Sequence, residues 1–155
     1  MLKSLTTIGL LICISLFGLI SCAVVGDSST KLVLRMQAAE NINPAGDGSP
    51  SPVAVTVYEL SANSNFLGSD FFSLYDENST TLGSDLISRE SQNLMPGQTL
   101  TYKKNLSPLT RYIGVVSAFR EIDSAQWRVI VPVKPKTLND ADIALKENSI
   151  SLLSK

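Results

Sequence analysis

Apolar residues recur at every second position in several short segments of this 155-residue chain. The pattern is clearest in residues 31–36, 53–60 and 127–133. A period of two is typical of a β-strand with one buried face. Residues 112–119 are apolar on both faces of such a strand, which predicts a strand in the centre of a sheet.

Weaker strand patterns complete the set. Residues 85–94 and 99–105 flank Met95-Pro96-Gly97, in which Pro presets φ and Gly supplies the positive φ of a type II turn. Residues 142–146 and 149–154 are predicted to form a closing hairpin. Short strands separated by regular turn signals predict an all-β, two-sheet β-sandwich of about eight strands.

One segment departs from the strand pattern. Residues 64–76 contain Ser69 or Asp70 as a helix cap, followed by the apolar residues Phe71 and Phe72. We predict one or two helical turns packed over an open end of the sandwich. A hydrophobic docking patch formed by Phe71, Phe72 and Tyr75 is the less favoured alternative.

The first residues have the organisation of a secretory signal. Lys3 precedes an apolar run, residues 8–20, that is too short to span a bilayer comfortably. Leu19-Ile20-Ser21-Cys22 closes the run and reads as a bacterial lipobox. Cleavage between Ser21 and Cys22 would leave the Cys22 thiol to accept a diacylglyceryl group. An ordinary cleaved signal with a coincidental cysteine is the alternative.

This signal divides the chain into three parts. Residues 1–21 are predicted to be a lipoprotein signal peptide, residues 22–29 a lipidated N-terminus and flexible tether, and residues 30–155 the folded domain. The seven residues after Cys22 reach at most about 25 Å. Ala23 follows the lipidation site, and by the usual bacterial sorting pattern it directs a lipoprotein to the outer membrane. Cys13 would leave with the signal, so no internal disulfide is possible.

Charge and composition argue against several functions. Removing Lys3 with the signal leaves 12 basic against 14 acidic side chains, and no basic stripe for nucleic acid. The chain has no histidine, which excludes a Ser-His-Asp or Cys-His nucleophilic site and a His-ligated metal. We therefore expect a protein that is not an enzyme and that needs no cofactor and no metal.

Several local motifs have a simpler interpretation than chemistry. Residues 43–48 (NPAGDG) lack the ligand pattern of a calcium loop and the Lys of a phosphate loop, so a turn-rich loop is favoured. Asp140 with Asp142, or Asp76 with Glu77, could form an acid–base pair, but polar surroundings favour solvated carboxylates. Trp127 beside Arg128 could be a binding platform, although a core position is favoured.

The order and spacing of these segments resemble a known family. The likeness rests on residues 52–60 (PVAVTVYEL), 70–74 (DFFSL), 82–83 (LG), 95–98 (MPGQ), 113–119 and 127–128 (WR), and covers nearly the whole mature chain. Together with the lipobox, they resemble the TssJ (SciN/VasD) lipoproteins of type VI secretion systems. The resemblance implies a transthyretin-like β-sandwich with a small helical addition.

The resemblance also implies a function. It implies an outer-membrane lipoprotein, facing the periplasm, that binds the periplasmic domain of the inner-membrane component TssM and helps to assemble a trans-envelope complex. The partner-binding loop of that family lies between the first two strands, here about residues 39–51. The residues it points to are Asn41, Asn43, Pro44 and Asp47. Since Glu40 and Asp47 are the only charges of this loop, an electrostatic counterpart would be basic.

A different class of function stays open on the sequence. A periplasmic lipoprotein that binds a small ligand or inhibits an envelope hydrolase could use the same sandwich, because fold does not determine function. A deep apolar pocket with convergent polar groups would favour that alternative, and a sandwich filled by its own side chains would oppose it.

Overall fold

The structure, a computed structural model, describes residues 29–77 and 79–153. The predicted signal peptide, the lipidation site Cys22 and the tether up to residue 28 lie outside the described residues. Within the described ranges there are eight strands, two short α-helices and one 3₁₀ turn. They are β1 (Thr30–Ala38), β2 (Val53–Leu60), α1 (Ser64–Gly68), α2 (Phe71–Tyr75), the 3₁₀ turn (Gly83–Asp85), β3 (Leu86–Leu94), β4 (Thr99–Leu106), β5 (Tyr112–Ala118), β6 (Arg128–Pro132), β7 (Leu138–Lys146) and β8 (Ser149–Leu153).

The strands form two four-stranded sheets that face each other. Sheet I has the order β4-β1-β7-β8 and sheet II the order β3-β2-β5-β6. All pairings are antiparallel except that of β1 with β7, which is parallel. This arrangement confirms the predicted two-sheet sandwich of about eight strands.

The core lies between the sheets, where the alternating residues point inward. Leu34 and Met36 of β1 meet Val53 and Val55 of β2, and none of these four side chains is exposed to solvent. Burial of each such side chain contributes about 1.5–3 kcal/mol. Period-two patterning therefore assigned the buried face of both strands correctly.

A second apolar cluster covers the outer face of sheet II, and it corrects the predicted position of the helices. Both helices pack on this face and not over an open end of the sandwich. The Phe66 ring lies 5.6 Å from the Tyr58 ring, and the Tyr58 hydroxyl donates to the Leu74 carbonyl at 2.6 Å. A Cβ on Gly114 would come 2.6 Å from the Phe66 ring, so glycine lets α1 approach the sheet. The helices cover β5, which is why that strand is buried on both faces.

Polar contacts stabilise the start of α2 and the end of α1. Asp70 caps α2 as predicted, because its carboxylate accepts a hydrogen bond from the Ser73 N–H at 2.9 Å. The Arg128 guanidinium donates to the carbonyls of Phe66, Leu67 and Ser69 at the end of α1. It also lies 4.6 Å from the centroid of the Trp127 ring, which is half-buried and packs against both apolar clusters. Trp127 is thus chiefly a packing residue.

Strand β7 begins at Leu138, four residues earlier than the sequence pattern predicts. Its outward residues Asp140 and Asp142 are charged, and the inward Asn139 is polar, so no apolar alternation is visible at its start. Arg35 on β1 compensates by donating from Nη2 to Asp140 Oδ1 and from Nε to Asp142 Oδ1, both at 2.6 Å. These carboxylates are ion-paired rather than simply solvated.

The strand directions give the sandwich two distinct ends. β1 starts at one end, which we call the proximal end. The connections formed by residues 107–111 and 133–137 lie there, and the β2–β3 connection starts and finishes there. The opposite end, the distal end, carries residues 39–52, 95–98, 119–127 and 147–148. The nine residues of β1 separate the two ends by about 30 Å.

Candidate functional site

The β1–β2 loop, residues 39–52, is the longest connection of the distal end and is closed at its base. Ile42 is fully buried in the core. The Ser51 N–H donates to the Ile42 carbonyl at 3.1 Å, which joins the two arms of the loop. Nearer the tip, the Ala45 N–H donates to the Ser49 carbonyl at 2.8 Å. The loop is therefore an ordered projection, held in one conformation by hydrogen bonds between its two arms.

Asn43 ties this loop to two neighbouring connections. Its Nδ2 donates to the Pro52 carbonyl and its Oδ1 accepts from the Arg120 N–H, each at 2.8 Å. Its backbone N–H donates to the Glu147 carbonyl at 2.7 Å. Asn43 has a φ of 48°, and only 4% of its surface is exposed. Asn43 thus organises the base of the loop, and its side chain is not presented to a partner.

The other three predicted partner residues lie nearer the surface. Asn41 and Asp47 are exposed, and Pro44 is half-buried. Asp47 accepts hydrogen bonds from the Ser49 hydroxyl at 2.6 Å and from the Ser49 N–H at 2.9 Å. These bonds hold the pKa of Asp47 below its usual value, so the loop tip carries a negative charge at neutral pH.

A neighbouring turn supports the start of the loop. The Gly97 N–H donates to the Ala39 carbonyl at 3.2 Å, and the Gln98 N–H donates to the Met95 carbonyl at 3.0 Å. Gly97 has a φ of 72°, as the predicted type II turn requires. A Cβ on Gly97 would come 2.5 Å from a carboxylate oxygen of Glu40, so the turn and the loop lie in direct contact.

The distal end is acidic across several connections. Two acids of the β1–β2 loop were expected from the sequence, and the fold adds three exposed acids from the β5–β6 and β7–β8 connections. The exposed basic side chains beside them are Arg120 and Lys146. The five exposed carboxylates are Glu40, Asp47, Glu121, Asp123 and Glu147. The sequence contains a signal for this grouping. In a chain of antiparallel strands, every second turn lies at the same end of the sheet, so the predicted strand order could have placed these connections together.

The described residues show no other arrangement that points to chemistry. Within residues 29–77 and 79–153, no group of three or more Asp, Glu, Cys or His residues is placed to hold a metal ion. The space between the sheets is filled by buried apolar side chains. In the same ranges, no helix is both long enough and apolar enough to cross a membrane.

A family comparison identifies the class of protein to which this sandwich belongs. The model described as "Type VI secretion lipoprotein, VasD, EvfM, TssJ, VC_A0113" matches residues 30–148. The chain belongs to the TssJ family of type VI secretion lipoproteins. The match extends from β1 to the β7–β8 turn and includes the whole distal end. It confirms the resemblance seen in the sequence.

Solved structures of TssJ-type proteins share this fold. The type VI lipoprotein TssJ1 from Pseudomonas aeruginosa is 32% identical with a TM-score of 0.78, and the alignment covers 82% of this chain and 97% of that one. Lip from Serratia marcescens, described as a membrane-bound component of the type VI secretion system, is 24% identical with a TM-score of 0.75. That alignment covers 83% of this chain and 100% of Lip. No curated protein matches the chain.

Two further structures concern type VI assemblies. A chain in a structure named "Type VI membrane complex" is 27% identical with a TM-score of 0.71, over 81% of this chain and 98% of that one. A chain in the structure named "T6SS protein TssM C-terminal domain (869-1107) from EAEC" is also 27% identical. Its TM-score is 0.69, over 81% of this chain and 99% of that one. Chains that share this fold are thus present in structures named for the type VI membrane complex and for the TssM C-terminal domain.

Proposed function

We propose that this TssJ-family protein is anchored in the outer membrane through Cys22 and binds the periplasmic domain of a TssM-type inner-membrane protein. The contact surface is the distal end, centred on the β1–β2 loop. The protein helps to assemble the trans-envelope complex of the secretion system and catalyses no reaction. Residues 1–21 serve as the cleaved signal, and the tether ends where β1 begins.

The course of β1 is the observation that carries this proposal. The strand starts at Thr30, eight residues after Cys22, and it ends at Ala38, where the β1–β2 loop begins. A membrane attachment at one end of the strand therefore directs the loop about 30 Å away from it. An anchor and a binding loop at opposite ends suit a protein that connects a membrane to a partner across the periplasm.

The comparisons support the choice of partner. Chains similar to this one are in the type VI membrane complex and in the structure named for the TssM C-terminal domain. Both alignments include nearly the full length of those chains. A TssM-type periplasmic domain is therefore the partner that the proposal names.

The charge of the distal end indicates how the partner is recognised. Exposed carboxylates from three connections favour a basic surface on the partner, because complementary potentials speed association and exclude wrong partners. Lipid anchoring adds to this by confining the protein to the membrane, which raises its concentration near a partner in the same envelope. Neither charge complementarity nor lipid anchoring requires a catalytic group.

The anchor is tested by replacing Cys22 with Ser. The variant cannot receive a diacylglyceryl group, so we expect it in the soluble periplasmic fraction, together with loss of type VI secretion. Membrane fractionation and release of a secreted component report the two effects. Cys13→Ser, within the predicted signal, is the matched control and should leave both unchanged. Full secretion by the soluble Cys22→Ser protein would contradict the proposal.

The distal surface is tested by titration calorimetry with the purified TssM periplasmic domain. The double variant Glu121→Gln, Asp123→Asn removes two charges without touching the buried base of the loop. We expect weaker affinity and a weaker dependence on salt concentration. Asp140→Asn removes an exposed carboxylate near the start of β7, at the opposite end of the sandwich, and should leave the affinity unchanged. Equal affinity in all three proteins would show that the acidic distal end does not contribute to TssM binding.

A further inference from the structure

The proximal end brings two connections together around the start of β1. The Lys136 N–H donates to the Thr30 hydroxyl at 2.9 Å, and the Lys31 N–H donates to the Thr137 carbonyl at 3.0 Å. Ser29, Pro108 and Pro135 line one depression at this end. Residues 107–111 and 133–137 therefore surround the point from which the tether leaves the domain.

This end exposes apolar side chains that the core does not use. Leu109, in the first connection, is 66% exposed, and Leu138, directly after the second, is 62% exposed. Pro108 and Pro135 beside them are exposed as well. One exposed leucine needs no explanation on a soluble domain. Here two of them flank the exit of the tether.

The same connections are basic. Arg111, Lys134 and Lys136 are exposed, and residues 107–111 and 133–138 contain no Asp or Glu. The distal end has the opposite sign. Of two carboxylates nearby, Asp140 is paired with Arg35, and Asp85, just before β3, is half-buried. The exposed basic side chains outnumber them, which favours contact of the proximal end with an anionic surface.

Lys136 occupies a backbone conformation that disfavours its own residue type. Its φ is 58°, in the left-handed region, where glycine or asparagine is usual. The bond from its N–H to Thr30 holds this conformation in place. An exposed lysine that is kept in a strained backbone conformation points to a functional role for its charge.

We propose that the proximal end lies on the anionic lipid surface of the membrane that holds the anchor. Leu109 and Leu138 enter the interface, and Lys134 and Lys136 contact the lipid phosphates. The inference rests on the proposed anchoring at Cys22. The seven residues after Cys22 span at most about 25 Å, so the tether keeps this end within reach of the headgroups.

The contact is weak by itself and becomes effective through the tether. Each lysine near an anionic surface contributes about fivefold to the contact equilibrium. Two lysines and two leucines bind a membrane much more weakly than a lipid anchor does. Here the tether already holds them near the membrane, so weak affinity is sufficient. The domain is then held upright, with the distal loop pointing into the periplasm.

Hydrogen–deuterium exchange of the lipidated full-length protein tests this contact. The protein is reconstituted into vesicles of three parts phosphatidylethanolamine to one part phosphatidylglycerol, or into vesicles of phosphatidylcholine alone. We expect severalfold slower exchange in residues 107–111 and 133–138 with the anionic vesicles, and no change in residues 44–49. Salt at 0.5 M should reduce the difference, since screening weakens contacts with headgroup charges.

Two variants separate the charge contribution from folding. Lys134→Gln with Lys136→Gly removes both charges, and glycine suits the left-handed conformation, so the domain should stay folded. We expect exchange in the proximal segments to return to the rate seen with neutral vesicles. Lys146→Gln, at the distal end, is the matched control and should keep the protection.

The outcomes distinguish this inference from the proposed function. Equal exchange in both lipids, with a protein that floats with the vesicles, overturns the inference and leaves the anchor intact. Protection of the proximal segments by the TssM domain in the absence of lipid also overturns it. A protein that does not float contradicts the anchor. Coupling Cys22 to a maleimide headgroup lipid then restores the tether, and exchange at the proximal end decides the inference.

Discussion

The Lys104 ammonium on β4 reaches across the edge of the sandwich to the buried Glu59 carboxylate on β2, with Nζ 3.3 Å from Oε2. Glu59 also accepts hydrogen bonds from the Thr110 hydroxyl and the Ser107 N–H. Lys104 Nζ lies 2.7 Å from Oε1 of Glu90 on β3 as well. The β3–β4 hairpin changes sheets at this edge, and the charged cluster joins sheet I to sheet II.

Removing the ammonium should destabilise the domain. Lys104→Met keeps the length of the side chain but leaves the buried Glu59 charge with fewer partners. We expect the free energy of unfolding to fall by about 1–3 kcal/mol. Denaturation by urea measures the change. Lys103→Met, at the neighbouring exposed position, is the control and should stay within about 0.5 kcal/mol of the parent.

Glu59 should make the stability pH-dependent. Burial opposes its ionisation, but hydrogen bonds from Thr110, Ser107, Ser88 and Lys104 outweigh burial and place the pKa of Glu59 below its usual value. The ionised carboxylate therefore stabilises the fold fully above about pH 4.5, near its unfolded pKa. This contribution is lost as the pH falls through the lower pKa of the folded state.

The measurement compares the parent with Glu59→Gln from pH 3 to pH 7. The stability gap between them should be widest at neutral pH and should narrow below about pH 4.5. Glu77→Gln reports the background from an exposed carboxylate. A gap that is constant over the whole range would show that Glu59 is not ionised in the folded protein.

Gly114 should tolerate no side chain while Phe66 occupies its place on sheet II. In Gly114→Ala the new Cβ would lie 2.6 Å from the Phe66 ring. We expect a loss of about 1–3 kcal/mol, because α1 must shift off the sheet. Adding Phe66→Leu should recover part of the loss, which a double-mutant cycle detects. Additive losses would mean that the clash is relieved elsewhere.

Substitutions at Asn41 and Asn43 should distinguish a residue that contacts the partner from a residue that stabilises the loop. Asn43→Ala loses two side-chain hydrogen bonds and a residue suited to positive φ, so we expect a loss of about 2–3 kcal/mol in stability. Asn41→Ala changes an exposed residue and should leave stability within about 0.5 kcal/mol. Its effect should be weaker TssM binding, read by calorimetry. Equal melting temperatures for both variants would contradict the buried role of Asn43.

The strands were predictable because their pattern is local. Residues 31–36 and 53–57 alternate according to which face is buried, and the two sheets confirm that assignment. The start of β7 was not predictable in the same way. Asp140 and Asp142 have the appearance of loop residues until Arg35, more than 100 positions earlier, is placed beside them.

The positions of the helices and of the loop residues depended on long-range contacts. Sequence patterning indicated a helix after Asp70 but could not show that sheet II has a vacant place at Gly114. Likewise, the sequence does not show that Asn43 has a positive φ. Its partner, the Arg120 N–H, is 77 residues away.

The placement of β1 has a mechanical consequence. This strand lies inside sheet I, paired along its length with β4 on one side and β7 on the other. A pull between the tether and the distal loop would run along β1 and load the backbone hydrogen bonds of both neighbours in shear, all at once, instead of opening them one by one. The domain should therefore resist tension applied between its N-terminal end and the distal loop, because many hydrogen bonds must break together before β1 can separate.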